Sequence, residues 1–276
     1  MGRLFIGVIV WFSVWGIVLF CWLGIFFLGV LTMCVWVVGH RGFPYRFPEN
    51  SVASFLGALL YGGDGVELDV WLSRDGVPVV IHDRRTGRVG SVDLDIKESS
   101  VADLRRVYLG MGQVVPTLGE VLDALPRDKL VIVEIKDVDA IYKVYELVKS
   151  RNMLDNTVFV SFNFDVLKKI RELDEKARIG FNIGDIEAAK EALKLKNVLN
   201  AYSVALPVTA PAIIGWETVE NYIKEAKSLG YKIALWSPMG SKPEETLEFY
   251  KKLKGLYDYA IINDLVNEGK AIREPW

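Results

Sequence analysis

The sequence predicts an α/β protein: a (β/α)8 barrel of the TIM type, with a small insertion after its second strand unit and a transmembrane helix before it. Three observations carry this. Short apolar runs rich in Val and Ile, without polar alternation, recur from residue 33 to the carboxyl end, as in parallel strands buried on both faces. Helical patterns lie between them over roughly 240 residues with no long linker, which fits one large barrel. Residues 4–38 carry no charge, and 29 of those 35 are apolar. An open doubly wound sheet is the poorer fit, because no G-x-G-x-x-G follows the first strand.

The apolar block comes first. A helix needs about 20 apolar residues to cross a bilayer, and residues 4–31 supply them once, not twice. A cleaved signal peptide would have an apolar core of about 7–15 residues and a small-residue cleavage site. This run is longer and no A-x-A-like site follows it, and bulky Met33 before Cys34 argues against a lipoprotein cysteine. The expected organisation is a membrane anchor over residues 1–32 and a barrel domain over 33–276, giving a single-pass membrane protein attached through 4–31. Arg3 before the span and Arg41 and Arg46 after it leave the orientation unset.

The strands are expected at 34–39, 65–70, 78–81, 130–135, 157–162, 178–183, 202–206, 232–236 and 259–262. Helical periodicity places helices at 51–61 behind an Asn50 cap, at 118–125 behind Thr117, and at 139–150, 164–173, 185–195, 217–229 and 243–253. Residues 84–112 are polar and Gly-bearing and read as the insertion. The net charge is −2, and without Arg3 there are 32 basic against 35 acidic residues, so no nucleic-acid footprint is present. Both cysteines, Cys21 and Cys34, fall in the apolar block, which argues against a disulfide scaffold or a zinc–thiolate site.

The chemistry sits where the apolar strands end. The first ends in Gly39-His40-Arg41-Gly42, the second carries Glu67 and Asp69, the third ends in His82-Asp83, and the next carries Glu134 and Lys136. In a barrel, strand carboxyl ends supply the catalytic groups. Glu67 and Asp69 are two apart and share a strand face, and Glu134 and Lys136 repeat the spacing. Three converging carboxylates repel one another unless a hard cation joins them, and oxygen donors suit Mg2+ or Ca2+. The chain's only two histidines suit an acid and a base. Arg41 offers a planar fork to phosphate oxygens. Such a set fits phosphodiester cleavage. A glycosidase would use the paired acids but leave Arg41, Lys136 and the histidines unexplained. A membrane-tethered barrel that only binds would leave the whole set unexplained.

These segments resemble the glycerophosphodiester phosphodiesterase family. The match is carried by Gly39-His40-Arg41-Gly42, Pro48-Glu49-Asn50-Ser51, Gly65-Val66-Glu67-Leu68-Asp69-Val70, the run from Asp75 to Asp83, Val115-Pro116-Thr117-Leu118 and Glu134-Ile135-Lys136, in order and spacing, over 34–276. The resemblance implies hydrolysis of glycerophosphodiesters to glycerol phosphate and an alcohol; because the expected span directly abuts the first barrel strand, a lysophospholipid cleaved in a lysophospholipase D-type reaction is the alternative substrate. It implies His40 and His82 as the acid/base pair, Glu67, Asp69 and Glu134 as holders of Mg2+ or Ca2+, and Arg41 and Lys136 on the phosphate. It also implies attack by the substrate's own glycerol hydroxyl, through a cyclic phosphate. Two segments depart from the family. Trp236-Ser237-Pro238-Met239 lacks the usual Asn, and the insertion lacks the usual Leu-Asp-Arg-Thr-Thr after His82-Asp83. Trp236 is expected as an apolar wall, and Phe162 as a further lining residue. Tyr45 and Phe47 are expected either to line the mouth or to pack the loop after the first strand, Asn263-Asp264 to cap the last helix, and Asp83 to orient local backbone rather than serve as a ligand.

Overall fold

The computed structural model describes residues 35–274. Eight parallel strands form a closed barrel: β1 (Trp36–His40), β2 (Gly65–Leu72), β6 (Leu130–Ile135), β7 (Thr157–Ser161), β8 (Arg178–Asn182), β9 (Ser203–Pro207), β10 (Lys232–Trp236) and β11 (Tyr259–Ile262). The order is β1-β11-β10-β9-β8-β7-β6-β2, and a β1–β2 pairing closes it. Short β3 (Pro78–Val80) runs antiparallel to the end of β2, and β4 (Tyr108–Gly110) pairs antiparallel with β5 (Gln113–Val114) where the insertion ends. The helices are α1 (Val52–Leu60), α2 (Val101–Leu104), α3 (Leu118–Ala124), α4 (Ile141–Ser150), α5 (Phe164–Leu173), α6 (Ile186–Leu199), α7 (Ala210–Ile214), α8 (Trp216–Ser228), α9 (Pro243–Lys252) and α10 (Asn267–Arg273). Among the described residues no helix is long and apolar enough to cross a membrane. The span expected at 4–31 and the anchor at 1–32 lie outside the described residues.

Strand alternation sorts the core into two layers. Val38, Leu130, Ile132, Val158, Val160, Ala205, Ala234 and Ile261 fill the barrel interior. Their neighbours Val37, Val131, Val133, Phe159, Val204 and Ile233 face the helices. A strand so placed is buried on both sides, which is why these runs lack polar alternation. The inward phase continues to the strand ends, where it changes from apolar to polar: Val38 to His40, Ile132 to Glu134 and Lys136, Ala234 to Trp236, Ile261 to Asn263.

Local chemistry starts the helices. Thr117 and Glu120 form a capping box on α3, as the sequence anticipates at Thr117. At α1 the cap is Ser51, not Asn50: Ser51 Oγ accepts from Ser54 N–H, and Asn50 serves the site instead. Helix α6 runs to Leu199, past the expected residue 195, and α7 is additional. The insertion is ordered around its own small core, where Ile96, Leu104 and Val107 pack on Val79, Ile81 and Val115. Two 3-10 turns at Thr86–Arg88 and Ile96–Glu98 and the Ser100–Asp103 capping box of α2 shape it.

Candidate active site

Parallel register assembles the centre. His40 lies beside Glu67, and Asp69 lies beside Glu134. The three carboxylates are buried, and ligand oxygens from Glu67, Asp69 and Glu134 lie within 4.8 Å of one another. Lys136 Nζ reaches Glu134 Oε1 at 2.5 Å and Asp69 Oδ1 at 3.1 Å. Asn50 Nδ2 donates to Asp69 Oδ2 at 2.9 Å, and Asn182 Nδ2 to Glu134 Oε2 at 3.0 Å. Asp69 and Glu134 are thereby each gripped at both oxygens, by Lys136 on one and by an asparagine amide on the other, which fixes how the two carboxylates point.

The charges do not balance evenly. Burial, then the Asp69 and Glu134 charges, push the Glu67 carboxyl well above its ordinary range. Burial pushes Glu134 up to about 7 against the pull of Lys136. Burial also acts on Asp69, but Lys136 and Arg41 outweigh it and hold Asp69 low. Ionising Glu67 beside the other two acids is therefore costly despite Arg41, and a divalent cation among oxygen donors relieves that cost. By this test the trio fits such an ion.

The tight turn after β1 places Arg41. Arg41 has φ 55° and Gly42 φ 87°, so the chain passes through left-handed backbone at both residues. A Cβ at Gly39 would lie 2.3 Å from Gly42 O, and one at Gly42 would strike Ser54. Ser54 Oγ donates to Arg41 O at 2.9 Å and accepts from Phe43 N–H at 2.7 Å, which pins the turn to α1. Arg41 N–H donates to Glu67 Oε2 at 3.0 Å, and its Nη1 to Glu49 Oε1 at 2.9 Å. Arg41 Nε is buried without a hydrogen-bond partner, 3.5 Å from Asp69 Oδ2. The guanidinium charge so placed beside the acid trio suits an anionic oxygen bound there.

The two imidazoles are oriented from behind. Asn263 Nδ2 donates to the carbonyls of Ser237 and Pro238, so its Oδ1 must accept, and it does so from His40 Nδ1 at 2.9 Å. This fixes the His40 tautomer and leaves Nε2 bare, 3.9 Å from Glu67 Oε2. Burial, then Arg41, push His40 down to about 4, so the ring is neutral near pH 7. His82 Nδ1 meets Asp83 Oδ1 at 2.6 Å. Burial lowers the His82 pKa, although Asp69 and Asp83 pull the other way.

The predicted residues come together. His40, Arg41, Glu67, His82, Glu134, Phe162 and Trp236 line one cavity of about 120 Å3, and Asp69 and Lys136 join it through the contacts above. Phe162 is 46% exposed at the mouth with Lys136 Nζ 5.9 Å from its ring centre, and the Trp236 ring lies 6.1 Å from that of His40. Two assignments need correction. Asp83 holds His82, not local backbone. Asp264 alone caps α10, accepting from the N–H groups of Val266 and Asn267, while Asn263 turns inward to His40. Asn50, Asn182, Asn263 and Glu49 were missed as site residues. For Asn182 and Asn263 the signal was available, since both continue the inward phase of their strands.

A closed β/α barrel whose strand ends gather an acid trio, two cations and two oriented imidazoles belongs to the phosphodiester-cleaving class of barrels. The glycerophosphoryl diester phosphodiesterase family model matches residues 40–264, and the chain belongs to that family. It is accordingly an enzyme, a phosphoric diester hydrolase. A glycerophosphodiester phosphodiesterase of Caldanaerobacter subterraneus subsp. tengcongensis is 31% identical over 183 residues, which cover 61% of this chain and 74% of that protein. The crystal structure of a glycerophosphodiester phosphodiesterase from Thermotoga maritima is 30% identical with a TM-score of 0.73, covering 86% of this chain and 98% of that one. An Oleispira antarctica phosphodiesterase, solved in complex with the product sn-glycerol-3-phosphate, shares the fold at 24% identity and a TM-score of 0.74, covering 87% of this chain and 97% of that one.

Proposed function

We propose that this chain hydrolyses glycerophosphodiesters to glycerol phosphate and an alcohol with the help of Mg2+ or Ca2+. The observation that carries the reading is the register at β1, β2 and β6, which sets Glu67, Asp69 and Glu134 around one point beneath two imidazoles with free Nε2 atoms. In this reading Glu67, Asp69 and Glu134 hold the cation, which when bound supplies charge for the phosphate oxygens. Arg41 and Lys136 bind the phosphate. His40 and His82 form the acid/base pair. One ring, entering neutral, takes the proton of the attacking hydroxyl at Nε2 as its oxygen bonds to phosphorus, and the other, entering as the imidazolium, gives its Nε2 proton to the departing alkoxide as the old P–O bond breaks. The two rings exchange these tasks when water opens a cyclic phosphate. Trp236 and Phe162 line the pocket for the substrate's carbon skeleton. The domain arrangement belongs to the proposal too: 1–32 as anchor, 33–276 as catalytic domain, at a membrane. The test is release of glycerol phosphate from glycerophosphocholine with Mg2+, with Ca2+ and with EDTA. Choline and glycerol phosphate in equal amounts, only with a cation, support it, and equal rates in EDTA refute it.

One observation favours a second reading, in which the substrate is a lysophospholipid. A groove of about 850 Å3 lies just outside the site's rim, lined by Ile183, Ile186, Leu193, Leu206, Ile214 and Tyr222. Its volume is in the range of about 300–1,000 Å3 found for ligand pockets. Asn182 faces the centre and Ile183 the groove, and a methyl group at Gly184 would touch the Phe162 ring at 3.5 Å. An acyl chain attached to a diester at the acid trio has an apolar channel within reach. Ile213, 77% exposed on the groove edge, tests this. Ile213→Asp should lower turnover of a lysophospholipid in vesicles and leave glycerophosphocholine turnover unchanged. Equal effects on both substrates would refute the acyl-chain reading.

A further inference from the structure

Arg88 lies in the first turn of the insertion and takes no part in the chemistry above. Its guanidinium nonetheless spends three nitrogens on two carboxylates of the site. Nη1 donates to Glu49 Oε2 at 2.8 Å, Nη2 to Glu49 Oε1 at 2.7 Å, and Nε to Asp83 Oδ2 at 2.5 Å. Each carboxylate is already engaged on its other side. Glu49 Oε1 accepts from Arg41 Nη1 at 2.9 Å, and Asp83 Oδ1 faces His82 Nδ1 at 2.6 Å. One side chain thus completes an unbroken chain of hydrogen bonds, Arg41–Glu49–Arg88–Asp83–His82, joining the loop after β1, the end of the β3 unit and the insertion.

The sharing has a chemical consequence. A carboxylate divided between two guanidinium groups holds each less tightly than a carboxylate reserved for one. With Arg88 gone, Glu49 would turn its whole charge on Arg41 and draw that fork away from an incoming phosphate. Asp83 would turn its whole charge on His82 and stabilise the imidazolium. We propose that Arg88 is a positioning residue that divides these two carboxylates, and so sets both the phosphate affinity of Arg41 and the proton affinity of His82. The proposal rests on the reading of Arg41 as phosphate ligand and His82 as an acid/base group.

The other charges facing His82 come from the barrel: Asp69, Lys136, Arg41 and the His40 ring. An Arg88 substitution leaves all of them in place, so a changed titration reports the loss of the Arg88 charge and of its hold on Asp83. Arg88 is half-exposed, which favours a folded Arg88→Met variant. The chain has two histidines, so in a His40→Gln background the full-length protein in detergent micelles gives one imidazole titration by NMR. In Arg88→Met the His82 midpoint should rise by about one pH unit. Binding of inorganic phosphate, followed by calorimetry in the otherwise unaltered chain, should weaken about tenfold. Arg88→Lys keeps the charge but lacks the fork and reaches only one carboxylate, so phosphate binding should weaken there as well. This second variant keeps the test open if Arg88→Met fails to fold. An unchanged midpoint, or unchanged phosphate affinity in either folded variant, overturns the proposal. Turnover of His82→Ala separates the two readings. Normal turnover there sinks the role of His82 itself, whereas a loss there with a normal Arg88→Met titration sinks only Arg88.

Discussion

Asn263 decides what His40 is able to do. Its amide is committed to two carbonyls, so its oxygen can only accept, and His40 must present a bare Nε2 to the acid trio. Removal of either imidazole removes a proton carrier, and His40→Ala and His82→Ala should each lower turnover by about 10²–10⁴-fold, read from kcat on a water-soluble diester. Asn263→Ala leaves the ring but frees its tautomer, so kcat should fall less, by about tenfold. Wild-type kcat in that variant would remove the tautomer argument. The lone acids and imidazoles were legible from sequence because barrel chemistry collects at strand ends and few residues in this chain carry it. The asparagines were not, because an Asn at a strand end is equally a helix cap, and only side-chain geometry separates the two. Asn50 and Asn263 each sit beside a residue that does cap a helix, Ser51 and Asp264.

At the scale of elements, the β1 turn and the first turn of α1 form one unit. Gly42 has φ 87°, and a Cβ there would lie 2.4 Å from Ser54 Oγ and 2.5 Å from the Ser54 carbonyl carbon. Gly42→Ala therefore combines a left-handed backbone penalty with a collision, at a cost of about 2 kcal/mol or more. Thermal unfolding of the variant should show Tm lowered by about 4–8 °C. An unchanged Tm would mean the turn relaxes freely and does not hold Arg41. Thr117→Ala, which removes the α3 cap far from the chemistry, should cost about 1 kcal/mol without altering kcat. The barrel strands were legible because burial on both faces writes itself as uninterrupted Val and Ile. Helix α7 was not, because a five-residue helix beginning Ala-Pro has no room to show a period. The inner order of the insertion was hidden for a related reason: its small core draws half its members, Val79, Ile81 and Val115, from outside the segment.

At the scale of the whole molecule, closure of the β1–β2 pair completes the barrel and makes the site at once, since His40 and Glu67 meet across that seam. Fold and function are therefore coupled: a change that opens the seam should lose metal affinity along with stability. The proposed anchor at 1–32 predicts that the full chain sediments with lipid vesicles and that residues 33–276 stay in the supernatant. Sedimentation of both to the same extent would contradict that role. The account's central claim is that the acid trio works through a divalent cation in phosphodiester cleavage. The most direct measurement is glycerol phosphate release from glycerophosphocholine by the full chain in detergent micelles, with Mg2+, Ca2+ or EDTA, beside the Glu67→Ala variant. The account predicts release with a cation, none in EDTA, and a rate in Glu67→Ala that is low and needs far more metal. Undiminished release in EDTA, or a Glu67→Ala variant with normal rate and metal requirement, would contradict it.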